Sequence, residues 1–243
     1  MTDKVPARVP RAGTGGTADR LERLREVSLF RGLSDRELQE LAAAAGERRF
    51  PRGALIFSAG DAADALHLIL AGAVKVFQLS DNGREQTLAV LGPGDCLGEV
   101  ALLDGGSRSA SAAALAETLL FTLPRPAFWQ ALRRQPAIAE KLLALLATRL
   151  RVANRQVEQL AFRDARGRVA GTLLALAEVH GTGPAHQRRI DLRLTHQELA
   201  NLAGTTRETS TRILGELADL GFLVMDGHYL VLRNQEGLRN LLG

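Results

Sequence analysis

Between residues 48 and 123 the chain is cut into short apolar alternations by turn signals, and this punctuation limits the fold more than any other feature. The signals are Gly60-Asp61, Ala71-Gly72, Asp81-Asn82-Gly83, Gly92-Pro93-Gly94-Asp95 and Gly105-Gly106. They recur roughly every 10–12 residues, the spacing of a small antiparallel barrel or jelly roll. "DALHLILAGAVKVFQLSDNGREQTLAVLGPGD" reads as two strands, an Asn82-Gly83 hairpin and a third strand. Residues 19–45 ahead of it read as helical, with an apolar stripe at Leu33, Leu38 and Leu41. Ser34 and Glu37 fit a capping box there. Residues 1–18, rich in Pro, Gly and Thr, read as a disordered arm.

After the strands, a long helix is expected from Pro136 to about Phe162. Ala139, Leu143, Leu146, Leu150, Ala153, Val157 and Leu160 alternate at spacings of four and three, the a/d seam of a two-stranded coiled coil. A shorter stripe of Ile138, Leu142, Leu145 and Val152 is broken by Arg149. One stripe can pack on the barrel while the other meets a second chain; a single long helix buried in one core is the alternative.

Composition excludes several classes. Cys96 is the one cysteine, too few for an internal disulfide, a Cys-rich zinc site or an iron–sulfur cluster. The five histidines form no His-x-x-x-His pair, which argues against a metal enzyme. No nucleophile–base pair or Walker loop appears. No apolar run approaches the roughly 18–20 residues of a membrane span, and the N-terminus lacks the apolar core of a signal peptide, so a cytoplasmic location is expected. The net charge of +4 permits an anionic partner. Residues 163–243, however, carry ten Lys/Arg against nine Asp/Glu. Any nucleic-acid contact there must come from the placement of individual arginines.

The most specific signal is "LTHQELANLAGTTRETSTRILGELADLGFL". Thr195 caps a helix with Glu198 as its capping-box partner, and Leu199, Ala200 and Leu202 supply the buried face. Gly204 suits the left-handed corner, and Thr205 or Thr206 caps the next helix. At 100° per residue, Ser210, Ile213, Leu214 and Leu217 share one face of that helix. Arg207, Glu208, Thr211 and Arg212 share the other, near the end where a recognition helix meets base edges. Arginine suits guanine O6 and N7, and glutamate can accept from cytosine N4. "FLVM", "DGH" and "YLVL" follow as a tight hairpin.

The chain from about Leu29 resembles the cyclic AMP receptor protein/fumarate-nitrate regulator superfamily of bacterial transcription factors. The residues that carry the likeness are "FRGLSDRELQELA", the glycine-punctuated strands, "GEVALL" with "RSAS", "LAFRDARGRVAGTLLALA" and "LTHQELANLAGTTRETSTRIL". The resemblance implies an α+β chain: a cyclic-nucleotide-binding β-roll (jelly roll) over 19–135, a dimerisation helix over 136–162 and a winged helix-turn-helix over 163–243. It implies that Arg207, Glu208 and Arg212 read a TGTGA-like half-site. It places Thr195, His196, Gln197, Thr206, Thr209 and Arg166 at DNA-backbone positions. A homodimer on a two-fold symmetric site, with RNA polymerase as partner, follows from the same likeness. Asp226 stands where a basic residue would help the wing, so no wing–phosphate contact is expected. The haem branch needs an axial histidine, and His67 reads instead as a plain core or surface residue; no metal, haem or iron–sulfur cluster is expected.

In this family the segment matching 98–109 is a phosphate-binding cassette. Carried over, Gly98 contributes backbone, Glu99 takes the ribose 2′-hydroxyl, and Arg108 with Ser109 takes the cyclic phosphate. The chemistry agrees, since a guanidinium pairs its N–H groups with phosphate oxygens. The alternative is an Arg108–Glu99 ion pair in a ligand-independent relative. Ala153 and Asn154 fall where the receptor pattern has a Thr-Ser pair that contacts adenine. Ala153 removes one hydroxyl, while Asn154 keeps both donor and acceptor. Cyclic AMP is the first-choice effector, with cyclic GMP and cyclic di-GMP as competitors.

Overall fold

The computed structural model describes residues 17–242 other than His228, with side chains from Leu21 onward. Most of the expected arm, residues 1–16, lies outside the described residues, and Thr17 and Ala18 open the first helix. Two compact units emerge: one from the chain up to Val76 together with Val90–Leu145, the other from Phe77–Ala89 with Leu146 onward.

In the first unit, α1 (Thr17–Glu26) and α2 (Asp35–Ala44) precede the strands. The Ser34–Glu37 capping box forms as the sequence predicts, with Ser34 N–H donating to Glu37 Oε2 at 2.7 Å. The strands are β1 (Gly46–Phe50), β2 (Leu55–Phe57), β3 (Ala65–Ala71), β4 (Val74–Leu79), β5 (Glu85–Leu91), β6 (Cys96–Leu97), β7 (Ser111–Ala114) and β8 (Thr118–Pro124). They form two sheets, ordered β1-β8-β3-β6 and β2-β7-β4-β5; successive strands alternate between the sheets except β4 and β5, which pair as a hairpin. This is the jelly-roll arrangement the turn spacing calls for. The short α3 (Glu99–Asp104) sits between β6 and β7.

The strand sequences suit this arrangement. β8, "TLLFTLP", pairs with both β1 and β3 and is buried over most of its length, a nearly continuous apolar run. β7, "SAAA", is buried at every position, and its small side chains fit a strand covered on both faces. Phe50, Ile69, Val74, Leu97, Ala112, Ala114 and Leu120 pack as one cluster. Gly72 turns the chain between β3 and β4 at φ +89°, where a Cβ would lie 2.3 Å from the Glu117 carbonyl oxygen. No L side chain fits that position.

A second apolar cluster joins α1 and α2 to the roll. It holds Leu24, Phe30, Leu38, Leu66, Phe121, Leu123 and Phe128. Phe128 comes from α4 (Arg125–Arg134). Ile138 and Leu142 of α5 (Pro136–Phe162) enter the same cluster, with Leu145 packed against it. The shorter of the two stripes is thus the one that packs on the roll. The heptad seam stays exposed: Leu143 is 67%, Leu150 63% and Val157 66% accessible.

The second unit continues with α6 (Ala165–His180), β9 (Gly181–Thr182), β10 (Arg188–Ile190), α7 (His196–Ala203), α8 (Arg207–Asp219), β11 (Leu223–Asp226), β12 (Tyr229–Leu232) and α9 (Gln235–Asn240). The four strands form one antiparallel sheet, ordered β11-β12-β10-β9. Val169, Leu173, Ile190, Leu199, Ile213, Leu217 and Leu232 are buried here. On α7 the buried face is Leu199, Ala200 and Ala203, and Leu202 is only half-buried. The expected position was one residue early, because Ala203 sits four residues from Leu199 on the same side of the helix.

Phe121 is fully buried at the centre of the larger cluster. Phe121→Ala should cost about 3–5 kcal/mol of roll stability, the range for a large aromatic cut to a methyl in a core that collapses incompletely. The fall in the denaturant midpoint of the roll transition checks this.

Candidate functional site

The roll brings Gly98, Glu99 and Arg108 together within the first unit. Gly98 precedes α3 at φ +85°, and a Cβ there would lie 2.0 Å from Arg108 Nη1. The arginine therefore occupies the volume that the missing side chain leaves. Its Nη1 donates to the Gly98 carbonyl at 2.8 Å, and its Nη2 to the Ala65 carbonyl at 2.7 Å. Asp64 lies 3.5 Å from Nη2 with its carboxylate largely in solvent. The Arg108 guanidinium also rests 4.5 Å from the centroid of the Phe57 ring.

Arg108 is 3% accessible, and its Nε is buried without a hydrogen bond. Burial lowers its pKa; Asp64, Glu99 and Asp61 oppose that shift. A guanidinium taken out of water costs several kcal/mol unless paired. Two neutral carbonyls orient this charge, and Asp64 offsets it from a largely solvent-exposed position, where an ion pair is worth little. A phosphate oxygen would supply both countercharge and acceptor, so the group fits the site. Glu99 is buried at 1% accessibility on the first turn of α3, and Ser109 is exposed beside Arg108.

His67 stands in the same region, on β3. It is 6% accessible, stacked on Phe57 at 5.7 Å, with Nδ1 3.1 Å from Thr122 Oγ1. Its pKa is pushed down to about 4, by burial first and the Arg108 charge second, with Asp64 working the other way. Ala153 and Asn154 lie on α5 in the second unit, and both are exposed.

In the second unit each expected cap forms. Thr195 Oγ1 accepts from Glu198 N–H at 3.1 Å, and Thr195 N–H donates to Glu198 Oε2 at 2.6 Å. Gly204 ends α7 at φ +61°. Thr206 is the cap of α8, accepting from Thr209 N–H at 3.2 Å, and its hydroxyl donates to Thr209 Oγ1 at 3.0 Å. Arg207, Glu208, Thr211 and Arg212 are exposed, while Ser210, Ile213, Leu214 and Leu217 are buried, as the helical wheel predicts. Arg212 is ion-paired with Glu216 one turn on. His196 Nδ1 lies 2.8 Å from Thr211 Oγ1, tying the start of α7 to α8. Arg166 lies half-buried on the first turn of α6.

Two groups of contacts were not foreseen from the sequence. Arg168 donates from Nε to the Ala203 carbonyl at 3.0 Å and from Nη2 to the Gly204 carbonyl at 3.3 Å. It neutralises the carbonyl end of α7 and fixes the corner. Gln197 Nε2 donates to Asn201 Oδ1 at 2.8 Å, and Asn201 Nδ2 donates to Glu85 Oε1 at 2.9 Å. The β4–β5 hairpin is thereby bonded to the first helix of the helix-turn-helix. The contacts of Arg168 with Ala203 and of Asn201 with Glu85 could not be read from local patterning, because the partners stand 35 and 116 residues apart.

A roll with a buried phosphate-fitting arginine, joined to a capped helix-turn-helix with an exposed Arg-Glu-Thr-Arg face, defines a nucleotide-binding transcription regulator. Residues 47–135 match the cyclic nucleotide-binding domain model, and residues 167–241 the Crp-like helix-turn-helix domain model. The cyclic AMP receptor protein of Thermus thermophilus is 46% identical over 79% of this chain and 86% of its own length. The CRP-like cAMP-activated global transcriptional regulator of Mycobacterium tuberculosis is 34% identical over 89% of this chain and 97% of its own. Among solved structures, FixK2 of Bradyrhizobium japonicum superposes with a TM-score of 0.74 at 29% identity, covering 82% of this chain and 98% of that one. The c-di-GMP responsive regulator CLP of Xanthomonas campestris gives 0.69 at 27% identity, covering 82% and 99%. The chain belongs to the CRP/FNR superfamily of transcription regulators, which are DNA-binding proteins and not enzymes. No helix among the described residues is long and apolar enough to cross a membrane.

The His67 ring is neutral in the folded roll, whereas an unfolded histidine takes a proton near pH 6.5. The stability this confers is complete above about pH 6.5 and is lost as pH falls from there to about 4. The loss should total on the order of 3 kcal/mol. Unfolding free energies of wild type and His67→Phe across that window check it, since the variant should lose that part of the slope.

Proposed function

We propose that this chain is a cytoplasmic, homodimeric regulator that binds a two-fold symmetric site with TGTGA-like half-sites under the control of a cyclic nucleotide, with cyclic AMP as first choice. RNA polymerase is the proposed partner at the promoter. The observation that carries the effector reading is Arg108, a buried guanidinium held by the carbonyls of Gly98 and Ala65 with its Nε unsatisfied. In this reading Arg108 and Ser109 take the cyclic phosphate, Gly98 contributes backbone and Glu99 takes the ribose hydroxyl. Asn154 faces the base, and Ala153 contributes only a methyl group. The names of the Thermus and Mycobacterium relatives support cyclic AMP.

The DNA half of the reading rests on the exposed face of α8. Arg207 and Arg212 address guanine and Glu208 addresses cytosine N4, while Thr195, His196, Gln197, Thr206, Thr209 and Arg166 address the backbone. The dimer reading is supported by the exposed seam of α5, because a stripe of that length in water is more stable against a second helix. Ala153 lacks the hydroxyl that would bond adenine, which keeps cyclic GMP and cyclic di-GMP as competing effectors.

Fluorescence anisotropy of a labelled palindromic duplex, titrated in the presence of cyclic AMP, cyclic GMP or cyclic di-GMP, tests the whole. Cyclic AMP should tighten binding, and equal affinity at every nucleotide concentration would remove effector control. Arg108→Met should weaken nucleotide binding at least ~30-fold by calorimetry, since a buried charge pair loses one member. Arg207→Ala should cost about 1–3 kcal/mol on the specific site and relax base preference at one position of the half-site.

A further inference from the structure

Beside Arg108 lies a pair of stacked rings to which the effector reading gives no role. Phe57 on β2 and His67 on β3 stack at 5.7 Å between centroids, with 25° between their planes. The Arg108 guanidinium lies 4.5 Å from the same Phe57 centroid. β2 and β3 belong to different sheets, so this cluster ties one sheet to the other. The Phe57 face attracts the cation and, with the Gly98 and Ala65 carbonyls, sets where the guanidinium points.

His67 is a buried base whose hydrogen bond tolerates either charge state. Its Nδ1 lies 3.1 Å from Oγ1 of Thr122, its partner across the β3–β8 ladder. A hydroxyl can donate to a bare ring nitrogen or accept from a protonated one, so protonation need not break that bond. The charged surroundings then decide the state of the ring. Arg108 stands before β7, Asp64 before β3 and Arg48 on β1, while β6 and β8 place only Leu97 and Thr122 opposite His67. Glu99 opens α3 and Arg125 opens α4, the two helices packed on β3. Burial is the first reason the ring is neutral and the Arg108 charge the second; Arg48 adds to them and Asp64 opposes them.

A phosphate on Arg108 offsets the second of these causes. The first changes little, because His67 is already only 6% accessible. An anion at Arg108 thus moves the ring back toward the ordinary histidine range, and by linkage a proton on His67 tightens the anion. The gain in affinity appears as pH falls below the ring's value in the bound state, and levels off near its free value of about 4.

We propose that Phe57 and His67 are positioning residues of the effector site: Phe57 aims Arg108 at the phosphate, and His67 takes up a proton as the phosphate binds. Effector affinity therefore rises with acidity. The inference rests on the reading of Arg108 as a phosphate ligand, and it is independent of the base recognised.

The test is calorimetric binding of cyclic AMP, and then of cyclic GMP and cyclic di-GMP, to the full chain, with the fold checked by circular dichroism at each pH. From about pH 7.5 to about pH 5, where the charge of these nucleotides is constant, wild type should bind roughly threefold or more tightly, and His67→Gln should show a flat profile. The His67 ring resonance, identified by its contacts with Phe57, should titrate at higher pH with nucleotide than without; this measurement needs no variant. Phe57→Leu should weaken binding roughly 3- to 30-fold, and Phe57→Tyr, which keeps the ring face, should restore most of it. If nucleotide binds and the His67 titration does not move, the proton linkage is overturned and the effector reading stands. If Phe57→Leu binds as tightly as wild type, the positioning role of the ring is overturned. If none of the three nucleotides binds at any pH, the effector reading itself fails, and this inference with it.

Discussion

The roll is organised around one buried guanidinium. Arg108 does more than bear a charge, because its hydrogen bonds to the Gly98 and Ala65 carbonyls link the entrance of α3 to strand β3. Its own backbone extends the link: Arg108 N–H donates to the Asp61 carbonyl and its carbonyl accepts from Gly60 N–H, both at 2.8 Å. Residues 60–65 and Gly98, distant from each other in sequence, therefore meet at one residue. The consequences run outward from it. Gly98 must lack a side chain, Phe57 offers its face, and the neighbouring His67, neutral chiefly through burial, is pushed further that way by the Arg108 charge. A charge that serves as a structural clip is stable only while its environment supplies acceptors. The carbonyls meet that need geometrically, and the exposed Asp64 carboxylate meets the electrostatic part only weakly. The side chain that clips these segments together is the one proposed to meet the effector, and in that reading binding is felt by each of them.

Arginines in the second unit follow two different rules, and this explains why its nearly balanced charge says so little. Arg168 closes the carbonyl end of α7, and Arg188 binds the carbonyls of Ala177 and Gly183. These groups are consumed by the scaffold. Arg207 and Arg212 stand on the exposed face of α8, and Arg193 is exposed in the segment that leads into α7. A count of charges treats all of them alike; the hydrogen-bond partners separate those that build the domain from those that it presents. Arg212 is intermediate, because it is exposed yet already ion-paired with Glu216, and in the proposed complex that pair must be shared or exchanged.

Features governed by near neighbours in sequence were legible before any coordinates. The capping boxes at Ser34 and Thr195, the left-handed Gly204, the buried face of α8 and the two stripes of α5 all depend on residues within a turn or two of one another. Gly98, Glu99 and Arg108 could be nominated together because they fall in one short segment, and the roll brings them together. Contacts that closure of the fold creates could not be read. Nothing local marks Asn201 as the partner of Glu85, or Arg168 as the cap of α7. The wing shows the limit most clearly. Arg193 and Tyr229 carry no local signal, and only the sheet places the Arg193 Nε 3.1 Å from the Tyr229 hydroxyl.

The two stripes of α5 bear on how the halves of this helix are stabilised. Ile138, Leu142 and Leu145 give the first half an apolar partner in the roll's own core. That stripe stops near Arg149, which is half-buried, and beyond it Leu150, Val157 and Leu160 are more than half accessible. An isolated helix of this length gains little from propensity alone, and most helical stability comes from packing one face. In the proposed dimer the second half gains its partner from another chain, and its seam includes Ala153, the smallest kind of side chain that still packs. A methyl there lets two helices approach closely, whereas a hydroxyl would need a hydrogen-bonding partner at the seam. The loss of an adenine-bonding group and the close packing of the seam are then two effects of the same residue. In this reading, base preference and dimer stability are coupled at position 153.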